Sequence, residues 1–198
     1  MSIPAIHTSN IKQNLPDSEL NQILAACLKN EAVAYRKLYE RYYPYILGIC
    51  VRYAQVKEDA EDMMQEVFVS AFTKLNTLKD IQAFPLWIKR IAVNTCISYV
   101  SQKKILWVML NEKLNATEME QGEDLSVKGL TPEVLHEEIA KLPYGYRVVL
   151  NLYAIEGLSH KEIAEQLRIS EITSRTQYMK AKKILKVKLD TLIDKPRK

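Results

Sequence analysis

Apolar positions recur at helical spacing through most of this chain. Leu20, Ile23, Leu24, Cys27 and Leu28 share one face of a 3.6-residue repeat and predict a first helix behind Asp17 and Ser18, either of which can cap it. Tyr35, Leu38, Tyr39, Tyr42, Ile46, Ile49 and Tyr53 predict a second, kinked or broken where Pro44 removes a backbone donor. Ala60, Met63, Met64, Val67, Phe68, Ala71 and Leu75 form a third stripe. A fourth opens at Pro85, a residue suited to a first helical turn, and continues through Ile88, Ile91, Ala92, Thr95 and Tyr99. Over 105–131 the period fails and glycine and carboxylates accumulate. The exception is Ile-Leu-Trp-Val-Met-Leu at 105–110, which either extends the fourth helix or docks on another surface. Thr131 and Pro132 then start a helix through Lys141, and after the break at Pro143 another runs from Tyr146 to Tyr153. Ser159 and Glu162 have the spacing of a capping box, and Ser170 caps a long helix from Glu171 towards Leu192.

Composition sharpens this picture. There are only five glycines in 198 residues, well below the usual ~7%, so tight turns are scarce and helix dominates. The pattern predicts an all-α protein. A loose leader, 1–16, containing Pro4 and Pro16, precedes a helical bundle over 17–104; a flexible acidic linker, 105–131, joins it to a second helical domain over 132–198. Cys27, Cys50 and Cys96 are odd in number, far apart and set among apolar residues, which predicts buried thiols in a reducing compartment. The longest apolar run, 105–110, is far short of the ~18 residues of a membrane span, and no signal-like start is present, so a cytoplasmic protein without membrane insertion is expected.

The net charge of +4 is too small to declare a nucleic-acid binder, but its distribution is uneven. Residues 171–198 hold nine Lys/Arg against three Asp/Glu, and 85–104 hold Lys89, Arg90, Lys103 and Lys104 with no carboxylate. Residues 57–66 hold Glu58, Asp59, Glu61, Asp62 and Glu66 against Lys57 alone. The basic terminal helix belongs to the strongest local signal, Gly157-Leu-Ser-His-Lys-Glu-Ile-Ala-Glu-Gln-Leu-Arg-Ile-Ser-Glu-Ile-Thr-Ser-Arg-Thr. A short capped helix, a tight turn and a second capped helix make a helix-turn-helix, with Ala164 small where the two helices approach. Its second helix is the expected reader. The outer face is assigned Ser174, Arg175, Gln177 and Lys180, with Thr176, Met179 and Lys182 beside them; Lys182, Lys183, Lys186 and Lys188 are placed to meet phosphates. Such a turn often needs a residue at positive φ, and Arg168 is the expected occupant.

Three further strings resemble one family. Asp59-Ala-Glu-Asp-Met-Met-Gln-Glu-Val-Phe-Val-Ser-Ala-Phe looks like the polymerase-binding helix of bacterial sigma factors. Phe84-Pro-Leu-Trp-Ile-Lys-Arg-Ile-Ala-Val-Asn-Thr-Cys-Ile-Ser-Tyr resembles their promoter-melting helix, and Leu142-Pro-Tyr-Gly-Tyr-Arg-Val-Val-Leu resembles the entry to their second DNA-binding domain. Order and separation resemble the compact extracytoplasmic-function (ECF) group. The resemblance implies sigma region 2 for the bundle and sigma region 4 for the helix-turn-helix domain. It implies core RNA polymerase and promoter DNA as partners, and leaves room for a soluble or membrane-bound anti-sigma factor.

The resemblance also distributes roles. Asp59, Asp62, Gln65 and Glu66 would meet the clamp helices of the polymerase large subunit; Lys89, Arg90, Asn94, Lys103 and Lys104 would hold the −10 region as it melts; the second helix of the helix-turn-helix would read the −35 element. Cations following a strand while an amide meets an exposed base suit single-stranded DNA, whereas Trp87 falls near the apolar stripe and is expected in the core. The reading helix departs from the family in carrying Gln177, Lys180 and Lys182 where arginines are frequent. Lysine lacks the planar fork that grips guanine, so a less guanine-dependent upstream element is expected.

Enzyme readings find little support. No Gly-rich phosphate loop, paired metal-ligand motif or supported Ser, His and Asp constellation occurs, and no cofactor, metal or catalytic residue is expected. His7, His136 and His160 are isolated and read as surface or cap-neighbouring residues. The rival reading is a helix-turn-helix regulator acting without core polymerase; it would bind a duplex site tightly unaided.

Overall fold

The computed structural model describes residues 17–102 and 131–193, all of whose regular elements are helical. The expected leader 1–16, the basic residues Lys103 and Lys104, the apolar run 105–110 and the linker as far as residue 130 lie outside the described residues. The chain divides into two compact units at Tyr99 and Val100. The first carries α1 (Asp17–Leu28), α2 (Ala32–Tyr53), α3 (Lys57–Lys74) and nearly all of α4 (Phe84–Gln102), with short 3-10 turns at Leu75–Thr77 and Ile81–Ala83. The second carries α5 (Pro132–Ala140), α6 (Tyr144–Leu150), a π-helical turn (Asn151–Ile155), α7 (His160–Leu167) and α8 (Glu171–Ile193).

In the first unit α2 packs against both α1 and α3. Leu24, Cys27, Leu38, Ile46, Ile49, Tyr53, Met63, Val67, Phe84, Ile88 and Cys96 are almost wholly buried, each of the larger side chains contributing roughly 1.5–3 kcal/mol. Rings tie the helices together: Tyr42 meets Phe84 edge to face at 5.1 Å, joining α2 to α4, and Tyr39 lies 4.6 Å from Phe68, joining α2 to α3. All three cysteines are free and buried. The Sγ atoms of Cys50 and Cys96 stand 3.9 Å apart, and burial pushes the Cys27 thiol up to about 11, away from reactivity.

Two points of the sequence reading are settled here. Of the kink or break expected at Pro44, the break does not occur, since α2 is continuous from Ala32 to Tyr53. Pro44 and Glu40, whose carbonyl loses its helical donor, are both exposed, so water can serve that carbonyl, while Tyr42, Ile46 and Leu47 hold the helix to the core on either side. Leu28 is half exposed rather than facing the core, because α1 ends there and Asn30 turns the chain away at φ 61°.

In the second unit Ile139, Leu142, Leu150, Ala181 and Leu185 form a core, with Leu135, Tyr146, Tyr178 and Ile184 packed against it. The helix expected to start at Thr131 and Pro132 does so, with the Thr131 side chain as its N-cap, and it stops at Ala140 with Lys141 as its C-cap. Arg147 then reaches back to donate from Nη1 to the Ala140 carbonyl at 3.0 Å, satisfying one of the orphan acceptors at that end. Glu138, buried near the end of α5, pairs with Lys141 at 2.6 Å and approaches Lys188 of α8 at 3.9 Å.

Candidate polymerase and nucleic-acid interfaces

On α3, Ala60, Met63, Met64, Val67, Phe68 and Ala71 point into the bundle, so Asp62, Gln65 and Glu66 are left on the exposed face and Asp59 is half-buried at its edge. Lys57 is occupied within the helix by an ion pair to Glu61 at 3.0 Å, which holds its ammonium above its ordinary value. The carboxylate face therefore keeps a negative character at its exposed positions. Val69 stands 66% exposed one turn beyond Gln65 and Glu66 on this face. The sequence reading missed it, although the i, i+3, i+4, i+7 spacing of Asp62, Gln65, Glu66 and Val69 carries the signal.

On α4, Phe84, Ile88, Ala92 and Cys96 are buried. Arg90 and Asn94 are exposed one turn apart, and Lys89 is half-buried beside them. Leu86, 74% exposed, heads the same stripe as Arg90 and Asn94 and was also missed. Trp87 is half-buried with its ring 5.8 Å from that of Phe84, as its place near the apolar stripe predicts.

The helix-turn-helix is built by two caps around one left-handed residue. Ser159 Oγ accepts from the Glu162 amide at 3.2 Å, and the Glu162 carboxylate accepts from the Ser159 amide at 2.8 Å and hydroxyl at 2.7 Å. Those bonds lower the carboxyl pKa. This is the expected capping box. α7 ends on Arg168 at φ 56°, ψ 44°, the left-handed conformation expected there. Ser170 Oγ then accepts from the Thr173 amide at 2.9 Å and opens α8.

A ring cluster fixes how α8 lies. His160 is buried in the first turn of α7. Its Nδ1 is 3.0 Å from Ser174 Oγ, and its ring stacks on Tyr153 at 4.2 Å with only 12° between planes. Tyr153 is delivered by the π-helical turn and also meets Tyr178 of α8 at 4.5 Å. Burial, followed by the charge of Arg175, lowers the imidazole pKa, while Glu171 acts in the opposite direction. His160 thus neighbours a cap, as expected, but it is an interior residue.

Two expected reading residues prove to be inside. Ser174 is fully buried and Gln177 is 4% exposed, because they share the face of Ala181, Leu185 and Leu189 that packs on the rest of the unit. Sequence spacing alone could not choose the face: both are polar, and the polar lining of this contact looks like surface. Arg175 is exposed and linked to Glu171 at 2.5 Å; Thr176, Met179, Lys180 and Lys182 are half-exposed, with the Lys182 ammonium 5.9 Å from the Tyr178 ring centroid. Ile172, 71% exposed, was absent from the expected set.

Comparison with known proteins bears on what these surfaces meet. Residues 38–105 match the model of Sigma-70 region 2, and residues 133–185 match that of Sigma-70, region 4. The RNA polymerase sigma-H factor of Pseudomonas aeruginosa is 26% identical, over 90% of this chain and 98% of its own. The ECF RNA polymerase sigma factor SigW of Bacillus subtilis is 27% identical, over 83% and 93% respectively. Among solved structures, the sigma factor RpoE of Bartonella quintana, in complex with the anti-sigma factor NepR, superposes with a TM-score of 0.43 at 16% identity, covering 81% of this chain and 98% of its own.

Proposed function

This chain belongs to the sigma-70 family in its extracytoplasmic-function group, a transcription initiation factor that associates with core RNA polymerase and promoter DNA, and from that premise we propose how its surfaces divide the work. The exposed face of α3, with Asp62, Gln65 and Glu66 and with Asp59 at its edge, docks on a basic, helical surface of the core enzyme. The face of α4 bearing Lys89, Arg90 and Asn94, continued in sequence by Lys103 and Lys104, holds the −10 strand as it separates. Helix α8, through Arg175, Thr176, Met179, Lys180 and Lys182, lies along the −35 duplex. The proposed domains are 17–104 for the first two tasks and 132–198 for the third, joined through 105–131.

The chain itself catalyses nothing in this reading; the polymerase makes the bonds. It works in the cytoplasm, with core polymerase, and no helix among the described residues is long and apolar enough to cross a membrane. An anti-sigma factor, soluble or membrane-bound, completes the reading, resting on family membership alone.

The observation that carries the proposal is the order of two matched regions, an acidic exposed helix face before a capped helix-turn-helix with a basic second helix. Transcription with purified core polymerase, followed by sequencing of the initiated RNA ends, tests it. Initiation at a small set of shared upstream motifs is expected only when the chain is present, and Asp62→Ala with Glu66→Ala should weaken core binding while leaving melting temperature nearly unchanged. Tight sequence-specific duplex binding without core, and no start-site selection with it, would establish the rival regulator instead.

A further inference from the structure

The reading face of α8 holds an apolar centre that hydrogen bonding does not explain. Buried Ser174, Gln177, Ala181, Leu185 and Leu189 define the inner side of the helix. At 100° per residue, the direction opposite them is occupied by Ile172, Thr176, Met179 and Lys183, at i, i+4, i+7 and i+11, with the apolar pair at its N-terminal end. An isolated exposed isoleucine is ordinary on a protein surface. This one stands in the first turn of the second helix of a helix-turn-helix, the turn that enters the major groove, and cations surround the face it heads: Arg175, Lys182 and Lys186 on one side, Lys180 on the other and Lys183 further along it. That charge commits the face to a polyanionic duplex. Within the groove, Ile172 can neither donate nor accept a hydrogen bond, and the base-edge group that complements it is the C5-methyl of thymine. Its β-branched side chain is stiff at χ1 and loses little freedom on docking.

We propose that Ile172 is a specificity-determining residue of the −35 contact, packing against a thymine methyl and making the upstream element thymine-dependent at that position. The inference rests on the assignment of α8 to the −35 duplex, and deepens it by naming the base feature that is read.

The test uses holoenzyme assembled from core polymerase and the full chain, on promoters found by sequencing initiated RNA ends. Each thymine of the upstream element is replaced in turn by deoxyuridine, which keeps the pairing and removes only the methyl. One or two replacements should reduce promoter binding by roughly fourfold, the value of one buried methyl-sized group. Ile172→Ala should cost a similar factor on the thymine template and show no further loss with deoxyuridine. Met179→Ala, altered on the same face, should keep the deoxyuridine response at that position. Indifference of the parent chain to every replacement overturns the inference, as does an undiminished deoxyuridine response in Ile172→Ala. Either result would leave promoter-specific initiation standing, whereas absence of start-site selection altogether would remove the −35 assignment and the inference with it.

Discussion

Arg168 shows what one residue contributes to this fold. An L-residue other than glycine in the left-handed region bears a steric cost of roughly 1–2 kcal/mol, and Arg168 bears it because the chain must turn between α7 and α8 within three residues. Arg168→Gly removes that strain but widens the freedom of the unfolded chain, so urea unfolding should show a gain of no more than about 1 kcal/mol. His160 makes a different prediction. Burial holds its folded pKa below the ordinary 6.5, so as pH falls the unfolded chain takes the proton first. The stability owed to neutral, stacked His160 is complete above about pH 6.5 and declines from there towards the lower folded value. Melting of the second unit, followed by tyrosine fluorescence, should therefore fall more steeply between pH 7.5 and 5.5 in the parent than in His160→Phe.

At the scale of the element, the proposed function gives α4 two jobs on opposite faces. Phe84, Ile88, Ala92 and Cys96 anchor it in the core, while Arg90 and Asn94 are left outside with Lys89 at the margin. The amide of Asn94 offers both donor and acceptor to a base edge, which a closed duplex largely hides. Separating the strands costs a few kcal/mol for each base taken out of the stack, so the element should act chiefly when polymerase holds the DNA. Asn94→Ala, and Lys89→Ala with Arg90→Ala, are expected to leave core association intact and to reduce promoter opening, read as permanganate reactivity of unpaired thymines. A pre-melted template should rescue the double basic variant largely and Asn94→Ala less, since the latter also loses a base contact. Normal opening by all three would take α4 out of the mechanism.

Considered as a whole molecule, the chain presents two units, each with its own buried core, and the proposed function gives each of them a modest DNA-facing surface. Tethering two weak sites makes the second contact intramolecular and can raise avidity by about 10²–10⁴ without any new contact. A protease site placed within 105–131 provides the check. Cleavage after assembly with core, followed by dilution, should lower promoter-specific initiation by about 100-fold or more, and raising the concentration of the fragments should restore much of it. Unchanged initiation after cleavage would mean that one unit alone selects promoters.

Much of the helical fold was legible in the sequence because its signals are local. Apolar spacing marks the amphipathic stripes, Ser159 with Glu162 and Ser170 mark two helix starts, and the crowding of a short turn singles out Arg168. The acidic and basic segments were equally visible, since charge is read directly from residue type. What only the tertiary structure decided was orientation. Ser174 and Gln177 turned inward because the ring cluster of Tyr153, His160 and Tyr178 rotates α8 onto its unit, and Tyr153 reaches that cluster through a π-helical turn that no pattern announces. Pro44 stays within an unbroken α2 because packing on both sides of it outweighs one missing hydrogen bond. Ile172 was passed over for the complementary reason: an apolar residue in an amphipathic helix is expected inside, and only the packing of α8 against its neighbours shows that it faces out.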